Sequence, residues 1–277
     1  MRLVTYELNG SQGVGVLING AIAPTSYRDM SALILAGDDG LAEARRAAAG
    51  GERVHGAKLL APIPRPGKIL CCGVNYLSHK EENPAATLPT EPFFFSKLPS
   101  AVIGPDEPIV IPYAECQADW EVEFAAVIGK RAKHVAREEA LDCVFGYTLL
   151  HDVSARDVQF KDNQITLGKG FDTFCPIGPC IVTRDEIPDP QRVNLATYVN
   201  GEQRQQGNTA DQLFPLATLI EFLTRIITLN PGDVVSTGTP AGVGAFRTPQ
   251  VWLQPNEVCE IEGDVIGRLR NPVTAGW

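Results

Sequence analysis

The sequence predicts an α+β fold that is mostly β, with a small β-rich N-terminal domain ahead of a larger one. Three observations carry that prediction. Short stretches rich in Val, Ile and aromatic residues recur between turn dipeptides such as Asn9-Gly10, Asn19-Gly20 and Asn200-Gly201. Amphipathic helical patterns are few. Three prolines and a glycine crowd the stretch from Pro62 to Gly67, where neither a helix nor a central strand can continue. The domain boundary is placed there, giving residues 1–64 and 65–277.

In chain order, Leu3 to Glu7, Val14 to Ile18 and Ala21 to Pro24 alternate or run apolar and read as strands, followed by an alanine-rich helix near Leu41 to Ala49. This first piece holds no cluster of His, Cys or acids suited to chemistry and reads as a packing or dimerisation module. Beyond the prolines, strands are expected at Ile69 to Gly73, Phe93 to Lys97, Val122 to Ile128, Thr148 to Asp152, Thr197 to Val199, Val234 to Thr237, Val258 to Ile261 and Val265 to Leu269. Glu262-Gly263-Asp264 reads as the turn joining the last two. Helices are expected at Arg137 to Val144 and at Leu216 to Leu229, the latter with Pro215 suited to its first position and Asn230-Pro231-Gly232-Asp233 to end it.

Charge and composition then exclude several classes. The 277 residues carry 24 Lys and Arg against 33 Asp and Glu, a formal charge of −9, the wrong sign for gripping a phosphate backbone. Nucleic acid is not an expected partner. No apolar run approaches the roughly 18 residues that cross a bilayer, and the opening residues lack a cationic lead into an apolar stretch. No membrane is expected, and the reading is cytoplasmic. The seven cysteines are odd in number and scattered, without a C-x-x-C pair, which argues against disulfides and a thiolate zinc site and for small buried hydrophobes in a reducing compartment. The motifs G-x-S-x-G, H-E-x-x-H and G-x-x-x-x-G-K-[ST] are absent. The glycine-rich stretch Gly238 to Gly244 continues to Arg247 where a dinucleotide fingerprint needs glycine or alanine, so it reads as a tight loop after a strand.

The strongest local signal is Asp119-Trp120-Glu121-Val122-Glu123-Phe124, continuing into Ala125-Ala126-Val127-Ile128. On a strand, Glu121 and Glu123 share one face while Trp120, Val122 and Phe124 share the other. An isolated pair of this kind usually lines a solvated face. Here the strand runs on apolar on both faces, so it carries its acids inward. Paired buried carboxylates need a cation or shared protons, and a hard divalent metal with oxygen ligands is the economical partner. Asp152, ending the apolar run from Tyr147, is the candidate third ligand; by itself it would read as a cap or turn former. Lys169 lies between Gly168 and Gly170, which admit a close approach or simply make a surface loop. His79 and Glu82, three apart, meet on one helical turn and suit a general base, or an exposed charged turn.

In order, the motifs G-x-N-Y-x-x-H-x-x-E (Gly73 to Glu82), W-E-x-E (Trp120 to Glu123), D-V-S-A-R-D-x-Q (Asp152 to Gln159), G-K-G-F-D-T (Gly168 to Thr173), V-N-G (Val199 to Gly201) and T-G-T-P-x-G-V-G (Thr237 to Gly244) resemble the fumarylacetoacetate hydrolase family. The resemblance covers nearly all of residues 66–273, and the N-terminal piece looks like that of the longer bacterial members. It implies a mixed β-roll catalytic domain, a homodimer, and Mg²⁺ or Mn²⁺ held by Glu121, Glu123 and Asp152. It further implies that Lys169 contacts substrate or its enolate, that Gln159 and Thr239 bind substrate, and that His79 with Glu82 forms a lid dyad activating water.

The activity so implied is metal-dependent hydrolysis of a C–C bond in a 2,4-dioxo acid, acylpyruvate or fumarylpyruvate-like, giving pyruvate or a related keto acid plus a carboxylic acid. The alternatives are an oxaloacetate-type decarboxylase, an isomerase or decarboxylase of keto acids from aromatic catabolism, and a non-catalytic binding protein that keeps the metal cage. One departure bears on substrate: Val74 stands where the mitochondrial acylpyruvate hydrolase and oxaloacetate decarboxylase type has arginine, which speaks against a short dicarboxylate.

Overall fold

The computed structural model describes residues 1–82, 87–161 and 165–276, with the side chains of residues 79–81 outside the described set. Its framework is an eleven-stranded sheet and a five-stranded sheet. The main path of the large sheet runs Ala21–Pro24, Ser11–Ile18, Arg2–Leu8, Cys175–Thr183, Val144–His151, Val122–Ile128, Val234–Ser236, Ile69–Gly73 and Phe93–Ser96. The N-terminal hairpin therefore extends the central sheet, with Arg2 opposite Val182 and Leu3 opposite Ile181. The five-stranded sheet orders Glu202–Asn208, Asn194–Val199, Val258–Gly263, Gly267–Ala275 and Ile109–Ile111.

The chain is mostly β with few helices, as its turn chemistry requires. Asn9, Asn19 and Asn200 take positive φ, each followed by a glycine with positive φ, the conformation that two-residue hairpins demand. Some boundaries move. Gly263 pairs with Gly267, so the last hairpin turns at Asp264 to Ile266, with Val265 at φ 66°, and its second strand is Gly267–Ala275. Arg137–Cys143 is a 3₁₀ helix, because Val144 is already committed to the central sheet opposite Ile128. The helix Leu216–Ile226 ends before Leu229, since Leu229 forms a bridge with Ala132.

Val122–Ile128 is buried at every position. One face of it, Val122, Phe124, Ala126 and Ile128, joins Tyr147, Leu149, Leu195, Ile261 and Leu269 in the largest apolar cluster, between the two sheets and the helix Leu216–Ile226. Phe124 stacks on Tyr147 at 5.0 Å. Each such side chain stabilises the fold by about 1.5–3 kcal/mol on full burial, and that apolar clamp fixes the strand whose opposite face carries Glu121 and Glu123.

Candidate active site

Alternation along the central strand sends the two glutamates the same way, and the fold closes a cleft of about 200 Å³ over them. Glu121, Glu123, Arg156, Gln159, Lys169 and Thr239 line it with Val74 and Phe93. The antiparallel neighbour Val144–His151 ends just before Asp152, whose N–H donates to the Glu121 carbonyl at 3.0 Å. This backbone bond brings the third acid to the other two.

The acids are held by three buried cations. Lys169 Nζ donates to Asp152 Oδ2 at 2.5 Å and to Glu121 Oε2 at 2.9 Å. Lys97 Nζ, fully buried, donates to Asp152 Oδ1 at 2.6 Å and to the Val153 carbonyl at 3.0 Å. Arg156 bridges Asp119 at 2.8 Å, Glu121 at 2.5 Å and Gln159 at 2.9 Å. Asp119 in turn accepts from the Trp120, Gly244 and Ala245 amides, which fixes the glycine-rich loop against the site. Burial opposes the charge on Lys169, yet Asp152 and Glu121 outweigh it and hold the ammonium cationic well above neutral pH. The Lys169 ammonium also lies 4.8 Å from the Phe95 ring centre.

Glu123 is the exception. It is 1% exposed, and its Oε2 has no hydrogen-bond partner among the described residues. Burial first, then Asp152 and Glu121, push its carboxyl well above the usual range. An orphaned buried carboxylate oxygen beside two more carboxylates fits a divalent cation, as does a nest where Lys169 already bridges two of the three. Ligand atoms of Cys71, Glu123 and Asp152 all lie within 4.8 Å of one another. Glu121 stands outside that cluster, tied to Lys169 and Arg156.

The remaining sequence candidates fall as follows. Gln159 lines the cleft and accepts from Arg156. The helix Ile165–Lys169 passes close to it only because Gly168 has no side chain: a Cβ there would sit 2.7 Å from the Gln159 Cβ. Thr239 lines the cleft and accepts from Gln205 Nε2 at 2.8 Å. Glu82 ends the helix Leu77–Glu82 and accepts from the Gly242 amide at 2.7 Å, tying that helix to the loop that carries Thr239. His79 is in the same helix; its side chain lies outside the described set. Val74 lines the cleft at φ 52°, costly for a β-branched residue. Asn75 imposes it, donating to the Phe214 and Thr237 carbonyls and accepting from the Phe214 amide.

Sequence reasoning assigned no role to Asp119, Arg156, Lys97 or Cys71. Arg156 sits inside the quoted D-V-S-A-R-D motif, at the start of the helix Arg156–Gln159 just after the short strand Ser154–Ala155. Lys97 and Cys71 carry no local signal, since strand pairing alone brings them to the acids. All seven cysteines are free and buried.

A family profile described as fumarylacetoacetate (FAA) hydrolase C-terminal matches residues 68–274. The chain belongs to that family and is an enzyme of it. It is 42% identical to oxaloacetate tautomerase fahd2, mitochondrial, of Xenopus laevis, over 99% of this chain and 90% of that protein. It is likewise 42% identical to the Homo sapiens oxaloacetate tautomerase FAHD2A, mitochondrial, over 99% and 91%. Among solved structures, a fumarylacetoacetate hydrolase from Exiguobacterium antarcticum superposes with a TM-score of 0.88 at 36% identity, covering 99% of both chains. A maleylpyruvate hydrolase from Sphingobium sp. SYK-6, in complex with manganese(II) and pyruvate, gives 0.85 at 31% identity, covering all of both. The full-length match takes in bacterial structures and vertebrate proteins named mitochondrial alike. No helix among the described residues is long and apolar enough to cross a membrane.

Proposed function

We propose that this enzyme binds Mg²⁺ or Mn²⁺ through Glu121, Glu123 and Asp152 and interconverts the keto and enol forms of a short 2-oxo acid, oxaloacetate first. The observation that carries the reading is the buried Glu123 Oε2, without a hydrogen-bond partner among the described residues, in a nest with Asp152 and the Lys169 ammonium. When bound, such an ion supplies Lewis acidity toward a 2-oxo group and a template for the adjacent carboxylate. The protein's own groups do the rest. Lys169, kept cationic by Asp152 and Glu121, donates toward negative charge developing on the 2-oxo oxygen from a position already fixed. Arg156 and Gln159 hold the rim at 2.9 Å from each other. Phe93, Phe95, Phe160 and Phe246 wall the cleft with carbon, which limits water. His79 is assigned as the base that takes the proton from C3 toward the enol and gives one back to C3 toward the keto form, while the enolate oxygen gains or loses its proton through Lys169 or water.

The relatives named oxaloacetate tautomerases support this reading over the argument from Val74, since oxaloacetate is a short dicarboxylate. The second reading, hydrolysis of a 2,4-dioxo acid, keeps the same groups and has His79 deprotonate water instead. The maleylpyruvate hydrolase likeness and the His79–Glu82 spacing favour it. The deciding experiment follows decay of enol-oxaloacetate absorbance with Mg²⁺ or Mn²⁺ and again with chelator, beside an acylpyruvate assayed by NMR. Chelator-sensitive tautomerisation without acylpyruvate cleavage supports the first reading; pyruvate plus a carboxylic acid replaces it with the second. Oxaloacetate decarboxylation appears in the same NMR series. The homodimer implied by the resemblance is tested by light scattering.

A further inference from the structure

Cys71 brings sulfur to the acid nest. It sits mid-strand in Ile69–Gly73, its register fixed opposite Ser236 on one side and Phe95 on the other. Its Sγ and carboxylate oxygens of Glu123 and Asp152 lie within 4.8 Å of one another, and all three side chains are buried. The proposed chemistry gives this thiol no task. Glu123 is 1% exposed, and its Oε2 has no hydrogen-bond partner among the described residues.

We propose that Cys71, Glu123 and Asp152 form a second coordination mode for a thiophilic divalent cation, Zn²⁺ or Cd²⁺, which competes with Mg²⁺ or Mn²⁺ for the two shared carboxylates. The inference rests on the reading above only in taking Glu123 and Asp152 as cation ligands. Mg²⁺ selects oxygen, while thiolate selects zinc-like ions. Tetrahedral zinc, with Zn–S about 2.3 Å and Zn–O about 2.0–2.2 Å, places sulfur and oxygen ligands roughly 3.5 Å apart. From separations of up to 4.8 Å the three atoms need to close by up to about 1.3 Å to reach that spacing, which side-chain torsions supply. Both Asp152 oxygens accept from lysines, but a carboxylate oxygen keeps a second lone pair. Capture exchanges the S–H bond for a sulfur–metal bond and releases one proton to solvent, with no change in oxidation state.

The test titrates metal-free protein with Cd²⁺ and reads the ultraviolet thiolate-to-cadmium band, with Mn²⁺ binding followed by electron paramagnetic resonance. Expected are a band in the wild type, release of Mn²⁺ as it grows, and loss of both the band and on the order of 100-fold in Cd²⁺ affinity in Cys71→Ala. Mn²⁺ affinity stays unchanged in that variant, which also shows that it folds. Cys71→Ser repeats the test without a cavity. Cys175→Ala, from the same apolar cluster but outside the ligand group, keeps the band. Mn²⁺ binding without a band in the wild type overturns this inference alone, as does a band that survives both Cys71 variants. Failure to bind either ion overturns the reading of the carboxylates and this inference with it.

Discussion

Two sets of ion pairs in this molecule have the same lengths and different consequences. In the acid nest, Lys169 meets Asp152 at 2.5 Å with side chains 4% and 0% exposed. On the outer sheet, Arg268 meets Glu262 at 2.5 Å with 45% and 42% exposed. Contact distance is equal, so the environment decides what each pair does. In water the attraction is screened and the side chains keep most of their freedom, leaving a median of about 0–1 kcal/mol. In the nest, desolvation offsets most of the attraction, so the intact pair adds little net stability, while loss of one partner strands a buried charge. The buried set therefore works by fixing geometry. Lys97, Lys169 and Arg156 each constrain a carboxylate oxygen that a metal or substrate must find in place.

The largest expected effect follows from breaking the nest. Lys169→Met leaves Glu121 and Asp152 without their shared cation and removes the donor toward the 2-oxo oxygen. Metal-free protein should lose about 3–5 kcal/mol in urea unfolding, and turnover should fall by roughly 100-fold or more. A variant of wild-type stability would show the nest is wetter than its burial suggests. Glu123→Gln comes next and has the opposite sign for stability. It removes the acid whose charge burial and its acidic neighbours already oppose, so unfolding free energy should hold or rise while Mn²⁺ binding, read by calorimetry, falls by an order of magnitude or more. Retained Mn²⁺ affinity would remove Glu123 from the ligand set.

His151 sharpens the comparison through pH. It is 1% exposed and pushed down to about 3, by burial first and then by the Lys97 charge, with Glu121 opposing. The unfolded chain protonates this imidazole near pH 6.5, whereas the folded protein leaves it neutral until about pH 3. Between those values the unfolded state binds the extra proton, so stability falls as pH falls, by up to about 1.4 kcal/mol per unit for one proton. Nothing is lost above pH 6.5. His151→Asn should flatten the stability-against-pH slope between pH 6 and 4, measured by chemical unfolding; parallel slopes would mean that His151 charges freely in the fold.

The acid nest was half legible in sequence, and the halves differ physically. Glu121, Glu123 and Asp152 could be found because strand alternation and apolar runs are local properties. So could the N-terminal hairpins, whose Asn-Gly turns announce themselves. Lys97 and Cys71 could not be found, because the pairing that delivers them joins strands far apart in the chain. Ser236 faces Cys71 across a parallel pair, and no local pattern encodes that neighbour. Arg156 was visible in the motif but silent about its partners, since its reach to Asp119 depends on a two-stranded ribbon of Ala118–Asp119 with Ser154–Ala155. The turn at Asp264 to Ile266 was misplaced because Gly263 looks like a turn residue and instead pairs in the ladder, where a Cβ would sit 2.8 Å from Leu149.

The smallest expected effect tests the other side of the comparison. Glu262→Gln keeps the shape of the surface partner and removes its charge, leaving the Arg268 guanidinium stacked on the Tyr198 ring at 4.8 Å. The unfolding free energy should change by less than about 0.5 kcal/mol at low salt, and the difference should vanish as salt is raised. Arg268→Ala should cost somewhat more, because it also strips the stem and guanidinium from Tyr198. A loss above about 2 kcal/mol for Glu262→Gln, persisting in salt, would mean that this exposed pair behaves as a buried one. Equal lengths would then go with equal energies, and geometric control would no longer separate the nest from the surface.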